Sequence, residues 1–322
     1  MSYLFCDCNN LKDINLSSFS TENVTDISYM FSGCNNLNNL NILKFDTNKI
    51  TNMKGLFKDC LKLEKIDLSS FHTKKVTNMS EMFNNCNNLN ELDLLNFDTS
   101  NVRDMSNMFS NCCNITEIKI TNFNTENVSN MKDIFADCKQ LKQINLSSFN
   151  TKKVINMSGM FKNCINLINI DLSNIKTSKT LDTSQMFEGC KLLSELNVSY
   201  LDTSNVRNMQ YMFKDCENLE NIQWGNFDTK MVIKMSGLFM NCKKFRKLNL
   251  KSFDTSNVKL MNELFCGCEN LVDINLSSFN TKNVETYSSM FKNCIRIKTI
   301  NLKNFNTKKA KSMHSMFSNC IN

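Results

Sequence analysis

Residues 57–82 read FKDCLKLEKIDLSSFHTKKVTNMSEM, and residues 83–108 read FNNCNNLNELDLLNFDTSNVRDMSNM. The two stretches superimpose without a gap, and the apolar positions coincide: Phe57 with Phe83, Cys60 with Cys86, Leu63 with Leu89, Leu68 with Leu94. Outward from this pair the same phenylalanine recurs with an unbroken 26-residue period, from Phe5 and Phe31 to Phe291 and Phe317. A fixed period between about 20 and 50 residues is the signature of a stacked array, in which each unit buries its apolar face only against its neighbours. No shift in composition marks a boundary, so the array is expected to be one solenoid domain over 1–322.

Within a period, Leu63-x-x-Ile66-x-Leu68 ends in a two-residue alternation, the mark of a short strand with one buried face. Ser69-Ser70, Phe71 and the polar run His72 to Lys75 follow as a turn. The remainder, Val76, Met79, Met82, Phe83 and Cys86, steps mostly by threes, which predicts a short α or 3₁₀ segment. Ser80, Ser106 and Ser158 stand where its N-cap would lie. The expected fold class is therefore a repeat solenoid. Short parallel β-strands line one side, and short α/3₁₀ segments line the other, over about 12 rungs.

The block Met82-Phe83, Cys86, Leu89, Leu92, Leu94 resembles the "AFxxCxxLxxIxI" of BspA-like leucine-rich repeats. The block from Ser69 to Met79 resembles the "SSFxTxxVTxM" of the DUF285 repeats of mycoplasma surface proteins. The 26-residue period and the absence of proline after the strand favour the DUF285 branch. The resemblance spans essentially the whole chain. It implies a leucine-rich-repeat-like solenoid exposed at a cell surface or secreted, with adhesion or binding to a protein or polysaccharide as its role. It supplies no catalytic residues.

Composition points the same way. The chain has two histidines, His72 and His314, in different repeat phases nine rungs apart, and no nucleophile elbow, phosphate loop or metal-ligand motif. No enzyme activity, cofactor or metal is expected. No apolar run approaches the roughly eighteen residues of a membrane span. No basic-aromatic module suggests nucleic acid. Charge is uneven: residues 1–161 carry 16 Lys+Arg against 17 Asp+Glu, and residues 162–322 carry 22 against 14. Clusters such as Lys243-Lys244-x-Arg246-Lys247 make the second half basic, suited to an anionic surface or polysaccharide or to plain solvation.

Three columns of residues invite a functional reading. Thirteen cysteines from Cys8 to Cys320 share one phase, and their expected role is packing, each thiol donating weakly to a carbonyl. Cys6-x-Cys8 and Cys266-x-Cys268 lack the partners of a tetrahedral metal site. Twelve threonines from Thr21 to Thr307 share another phase and are expected to close a turn within each rung, the alternative being an array that orders water or ice. The third column is the outward middle of the strand. Its candidate binding residues are Asn15, Asn41, Asp67, Asp93, Asn145, Asp171, Asn197, Asn249, Asn275 and Asn301, with Tyr200 as the aromatic on that face. An amide ladder that only stabilises stacking explains the same column equally well. The position two residues earlier varies more, from Lys65 and Glu91 to Lys247 and Thr299, and specificity is expected there. Trp224 falls in an inward phase.

Neither end carries a distinct capping module, which suggests a segment of a longer protein, or open ends that self-associate end to end. The competing role for the whole chain is a structural spacer or self-assembling rod with no specific ligand.

Overall fold

The computed structural model describes residues 1–321. The chain forms two compact units, Met1–Val154 with Asn163–Ile175, and Ile155–Lys162 with the residues from Lys176 onward. Each unit is a leucine-rich-repeat-like solenoid of 26-residue rungs. The first holds strands β1 (Asp13–Ile14), β2 (Asn39–Leu40), β3 (Glu91–Asp93) and β4 (Glu117–Lys119). The second holds β5 (Glu195–Asn197), β6 (Asn221–Gln223), β7 (Lys247–Leu248) and β8 (Asp273–Ile274). They pair in parallel as β1–β2, β3–β4, β5–β6 and β7–β8. Every register is offset by one full repeat, as in Leu92 opposite Ile118 and Leu196 opposite Ile222.

The segments expected to be helical are not. Among the described residues there is no α or 3₁₀ helix. The Met-Phe arc instead alternates two kinds of backbone hydrogen bond. The amides of Met79, Glu81, Phe83 and Asn85 donate to the carbonyls of Asp104, Ser106, Met108 and Ser110, one rung on. Those of Met82, Asn84 and Cys86 donate three residues back, to Met79, Glu81 and Phe83. A helix would keep all of these donors inside the rung. The cause is local: Glu81 and Asn85 have φ of 59° and 65°, which a right-handed helix excludes.

The second of these positions repeats as Asp7, Gly33, Asp59, Asn85, Asn111, Asp137 and Asn163 in the first unit, and as Gly189, Asp215, Asn241, Gly267, Asn293 and Asn319 in the second. All thirteen are Gly, Asn or Asp, the residues that adopt the left-handed region most cheaply, and all have positive φ. Gly55 and Gly237 occupy the other positive-φ position for a steric reason as well. A Cβ there would strike the ring of Tyr29 or Tyr211 on the preceding rung, whose hydroxyl reaches Glu81 or Glu263 one rung further, each at 3.4 Å.

Just ahead of the arc a second parallel ladder runs through each unit. In the first it links Asp26, Asn52, Asn78, Asp104 and Asn130, and in the second it runs from Asn156 to Ser312. Ser80, Ser106 and Ser158 belong to this corner and cap no helix. Their amides donate to the side-chain oxygens of Asn78, Asp104 and Asn156 at 2.8–2.9 Å, closing Asx turns.

The core is a set of like-on-like columns. Phe5, Phe31, Phe57, Phe83, Phe109 and Phe135 stack with centroids 5.4–6.0 Å apart, and Phe161 to Phe317 repeat this at 5.3–6.0 Å in the second unit. Trp224 packs edge-on against Phe213, Phe227, Phe239 and Phe253 at 5.0–6.1 Å, inside the second unit as its phase requires.

Substitution at Asn111 (φ 61°) separates the two backbones. In the observed arc, Asn111→Val should cost about 2 kcal/mol more than Asn111→Gly, because a β-branched residue is strained at positive φ. In a helix glycine would be the worse of the two. Chemical denaturation of both variants reads the difference.

Candidate binding face

The strands position their side chains by simple alternation. In β3, Glu91 and Asp93 are exposed and Leu92 is buried between them, and β4 and β6 repeat the pattern with Ile118 and Ile222 inward. The middle outward position has a definite backbone task. Asp93 Oδ1 accepts the amide of Leu95 at 3.1 Å, and Asp67 Oδ1 that of Ser69 at 2.9 Å. The same bond is made by Asn15, Asn41, Asn145 and Asp171, and by Asn197, Asn249, Asn275 and Asn301. The column thus closes an Asx turn at the end of each strand, within its own rung, and is not a ladder of amides between rungs. Ser69, through its hydroxyl and its amide, holds the Asp67 carboxyl below the usual carboxylate range. The turn is therefore anionic at neutral pH.

Several of these turns are gathered into shallow grooves. In the first unit, Asn41, Asp67 and Asp93 line a groove of about 610 Å³ with Lys65, Glu91 and Asn96. Asn145 and Asp171 line another, of about 720 Å³, with Glu117, Lys119, Gln143 and Asn169. Asn15 and Asn41 share a smaller hollow, as do Asn275 and Asn301 in the second unit. Asn197 and Asn249 close the same turn on β5 and after β7. Tyr200 is exposed, but it sits in the turn that follows β5 rather than on the strand.

The threonine column differs from the expectation. Its hydroxyls do not close turns within a rung but donate to the next one. Thr99 Oγ1 reaches the Asn124 carbonyl at 2.9 Å, Thr73 that of Asp98 at 2.9 Å, and Thr229 that of Asp254 at 2.9 Å. Thr47 and Thr99 are fully buried, and the column is buried from Thr21 to Thr281, with Thr307 alone exposed, so it forms no extended array facing water or ice.

The cysteine column packs as expected. Cys34, Cys60, Cys86, Cys112, Cys138 and Cys164 donate to the carbonyls of Phe5 to Phe135 at 3.1–3.2 Å. Cys190 to Cys320 do the same with Phe161 to Phe291 at 3.0–3.1 Å. Burial pushes Cys112 and Cys294 up to about 12, and Cys34 up to about 11. Among the described residues, no three His, Cys, Asp or Glu are grouped to hold a metal ion.

The profile described as "Mycoplasma protein of unknown function, DUF285" matches residues 1–117, 85–195, 165–248 and 235–322. The chain belongs to this family. No curated protein sequence matches it. Among solved structures, this DUF285 chain is similar to a leucine-rich cell surface protein from Faecalibacterium prausnitzii. Identity is 19%, the TM-score is 0.49, and the match covers 92% of this chain and 74% of that one. It is also similar to a leucine-rich repeat protein from Bacteroides ovatus, at 16% identity and TM-score 0.49 over 98% and 86% of the two chains. An internalin from Listeria monocytogenes follows at 13% and 0.30, over 95% and 74%. Likeness at this level transfers no function. Among the described residues of the DUF285 chain, no helix is long and apolar enough to cross a membrane.

The thiol column makes stability depend on pH. The folded thiols hold their protons to higher pH than unfolded ones, whose value lies near about 8.5. Their contribution is full below about pH 8.5 and is lost as pH rises through the folded values, about 12 for Cys112. Denaturation midpoints should thus fall steadily between about pH 9 and 11, while a variant with Cys60, Cys86 and Cys112 changed to Ala should show a shallower fall. Parallel curves for the two proteins would contradict this.

Proposed function

We propose that the 26-residue array over 1–322 acts as one non-catalytic binding module at a cell surface, contacting a protein or polysaccharide through its strand face. One observation carries the reading. The strands expose two side chains per rung, and only one of the two is committed to the backbone. The Asn or Asp at the middle position closes the Asx turn and is nearly constant for that reason. The position two residues before it is exposed and unconstrained by any turn, and it changes from rung to rung: Lys65, Glu91, Glu117, Gln143, Asn169. Regular scaffolds that present variable side chains on rigid elements suit recognition. The grooves beside Glu91 and Glu117 add concavity to that face. The surface location rests on the resemblance of the repeat to mycoplasma surface proteins.

The informative variant is Glu91→Lys/Glu117→Lys, since changing Asp67 or Asp93 would open a turn as well as alter the face. The purified chain is screened against immobilised matrix proteins and polysaccharides. The expected outcome is a saturable ligand whose affinity falls at least about tenfold in the double variant, with an unchanged circular dichroism spectrum. Absence of any saturable ligand would leave the spacer role in its place, whereas a ligand indifferent to both charge reversals would move the contact away from Glu91 and Glu117.

A further inference from the structure

A groove of about 790 Å³ in the second unit collects four cations, Lys244, Arg246, Lys247 and Arg296, around Glu220, Asn270 and Val272. The period explains how they meet. Lys244, Asn270 and Arg296 occupy one repeat position on three successive rungs, and Glu220, Arg246 and Val272 occupy another. The Val272 amide donates to the Arg246 carbonyl at 3.0 Å, so the rungs that carry the charges are laced together. Lys243, which adjoins Lys244 in sequence, is turned to a different task and pairs with Glu217 at 3.2 Å.

All four cations are exposed, and little of their charge is answered locally. Lys244 approaches Glu220 only to 4.0 Å. Arg296 donates to the side-chain oxygen of Asn270 at 3.3 Å, a neutral partner that orients the guanidinium. Arg246 and Lys247 make no ion pair among the described residues, and Asp273, the register partner of Lys247, makes none either. Two of the chain's four arginines lie here, in a sequence whose cations are otherwise almost all lysine. Arginine is the cation whose planar fork grips carboxylate and sulfate through two parallel bonds and which sheds water most easily.

We propose that this groove binds an anionic polysaccharide, sulfated or carboxylated. The proposal rests on the binding-module reading and supplies it with a ligand class and a place. Rungs about 4.8 Å apart set the Lys244 and Arg296 positions about 10 Å apart along the stack, a spacing for charges on a linear chain rather than for one small anion. The Asn270 side chain is held within the groove, its Nδ2 donating to the Lys243 carbonyl at 2.9 Å while its Oδ1 accepts from Arg296. No aromatic side chain lines the groove, so the stacking platform that single-stranded nucleic acid uses is missing.

Heparin is the probe, with unsulfated dextran and poly(U) RNA as comparators. Arg246→Gln/Arg296→Gln removes two charges from the groove, and Lys308→Gln/Lys309→Gln removes two from another part of the same unit. All are exposed side chains, and circular dichroism checks that each variant folds. The expected result is heparin binding without dextran binding, a loss of at least about tenfold in the arginine pair, and less than about twofold in the lysine pair. Equal losses in the two pairs would make the binding diffuse and overturn the proposal. So would a wild-type chain that ignores heparin, or tighter groove-dependent binding of poly(U). A wild-type chain that binds a ligand through Glu91 and Glu117 but ignores heparin would sink the groove alone. A chain that binds nothing would sink both readings.

Discussion

The backbone hydrogen bond from one rung to the next is the constraint on which the rest of the structure depends. Each rung has three short stretches whose amides face along the stack: the strand, the bridge position ahead of the arc, and the arc itself. In each, the acceptor lies on the adjoining rung, as when Phe83 donates to Met108 and Thr77 donates to Thr51. One inserted residue would put every later donor out of register, which accounts for thirteen phenylalanines spaced without a slip. A proline would delete a donor outright, and the chain has none. Once the rungs are locked, like residues must stack on like, so the phenylalanine, cysteine and threonine columns follow from the backbone rather than cause it.

Corners are the second requirement, because a rung must turn repeatedly without glycine-rich loops. Asn and Asp do this in two ways. At positive φ they replace glycine, and elsewhere their side chains fold back on an amide two residues ahead. In a single rung this happens at the strand end with Asp93 and Leu95, after the second phenylalanine with Asp98 and Ser100, and before the arc with Asp104 and Ser106. Each bond satisfies a donor that a corner would otherwise leave unpaired. The abundance of Asn in the sequence has this conformational use, and seven glycines suffice for the whole chain.

The solenoid, the strand, the inward columns and the thiol-to-carbonyl contacts are all legible from the period and the apolar ladder. The arc misleads because steps of three fit both a helix and a string of turns, and the apolar positions alone cannot separate them. The deciding signal lies on the polar side, in the unbroken run of Gly, Asn and Asp two residues after each phenylalanine of the core column. The threonine column misleads for a related reason: a hydroxyl that bonds within a rung and one that bonds across rungs leave the same periodic trace. On the strand face, the sequence points to Asn and Asp as candidates, whereas Asp67 and Asp93 are held by the turn they make. Arg296 stands outside the visible basic cluster, and only the stacking of positions two rungs apart brings it beside Lys244 and Arg246.

On such a frame the side chains free to take the proposed binding role are those the rungs leave uncommitted. Inward positions are filled and corner positions are spoken for, which leaves the first outward strand residue and the cationic side chains of the second unit. The central claim, that the arc hands alternate amides to the neighbouring rung, is tested most directly by residue-resolved hydrogen exchange across residues 79–86. The account predicts slow exchange at Met79, Glu81, Phe83 and Asn85, limited by global unfolding, together with backbone couplings of positive φ at Glu81 and Asn85. Couplings of a continuous right-handed helix through Glu81 and Asn85, or fast exchange at those four amides, would contradict it.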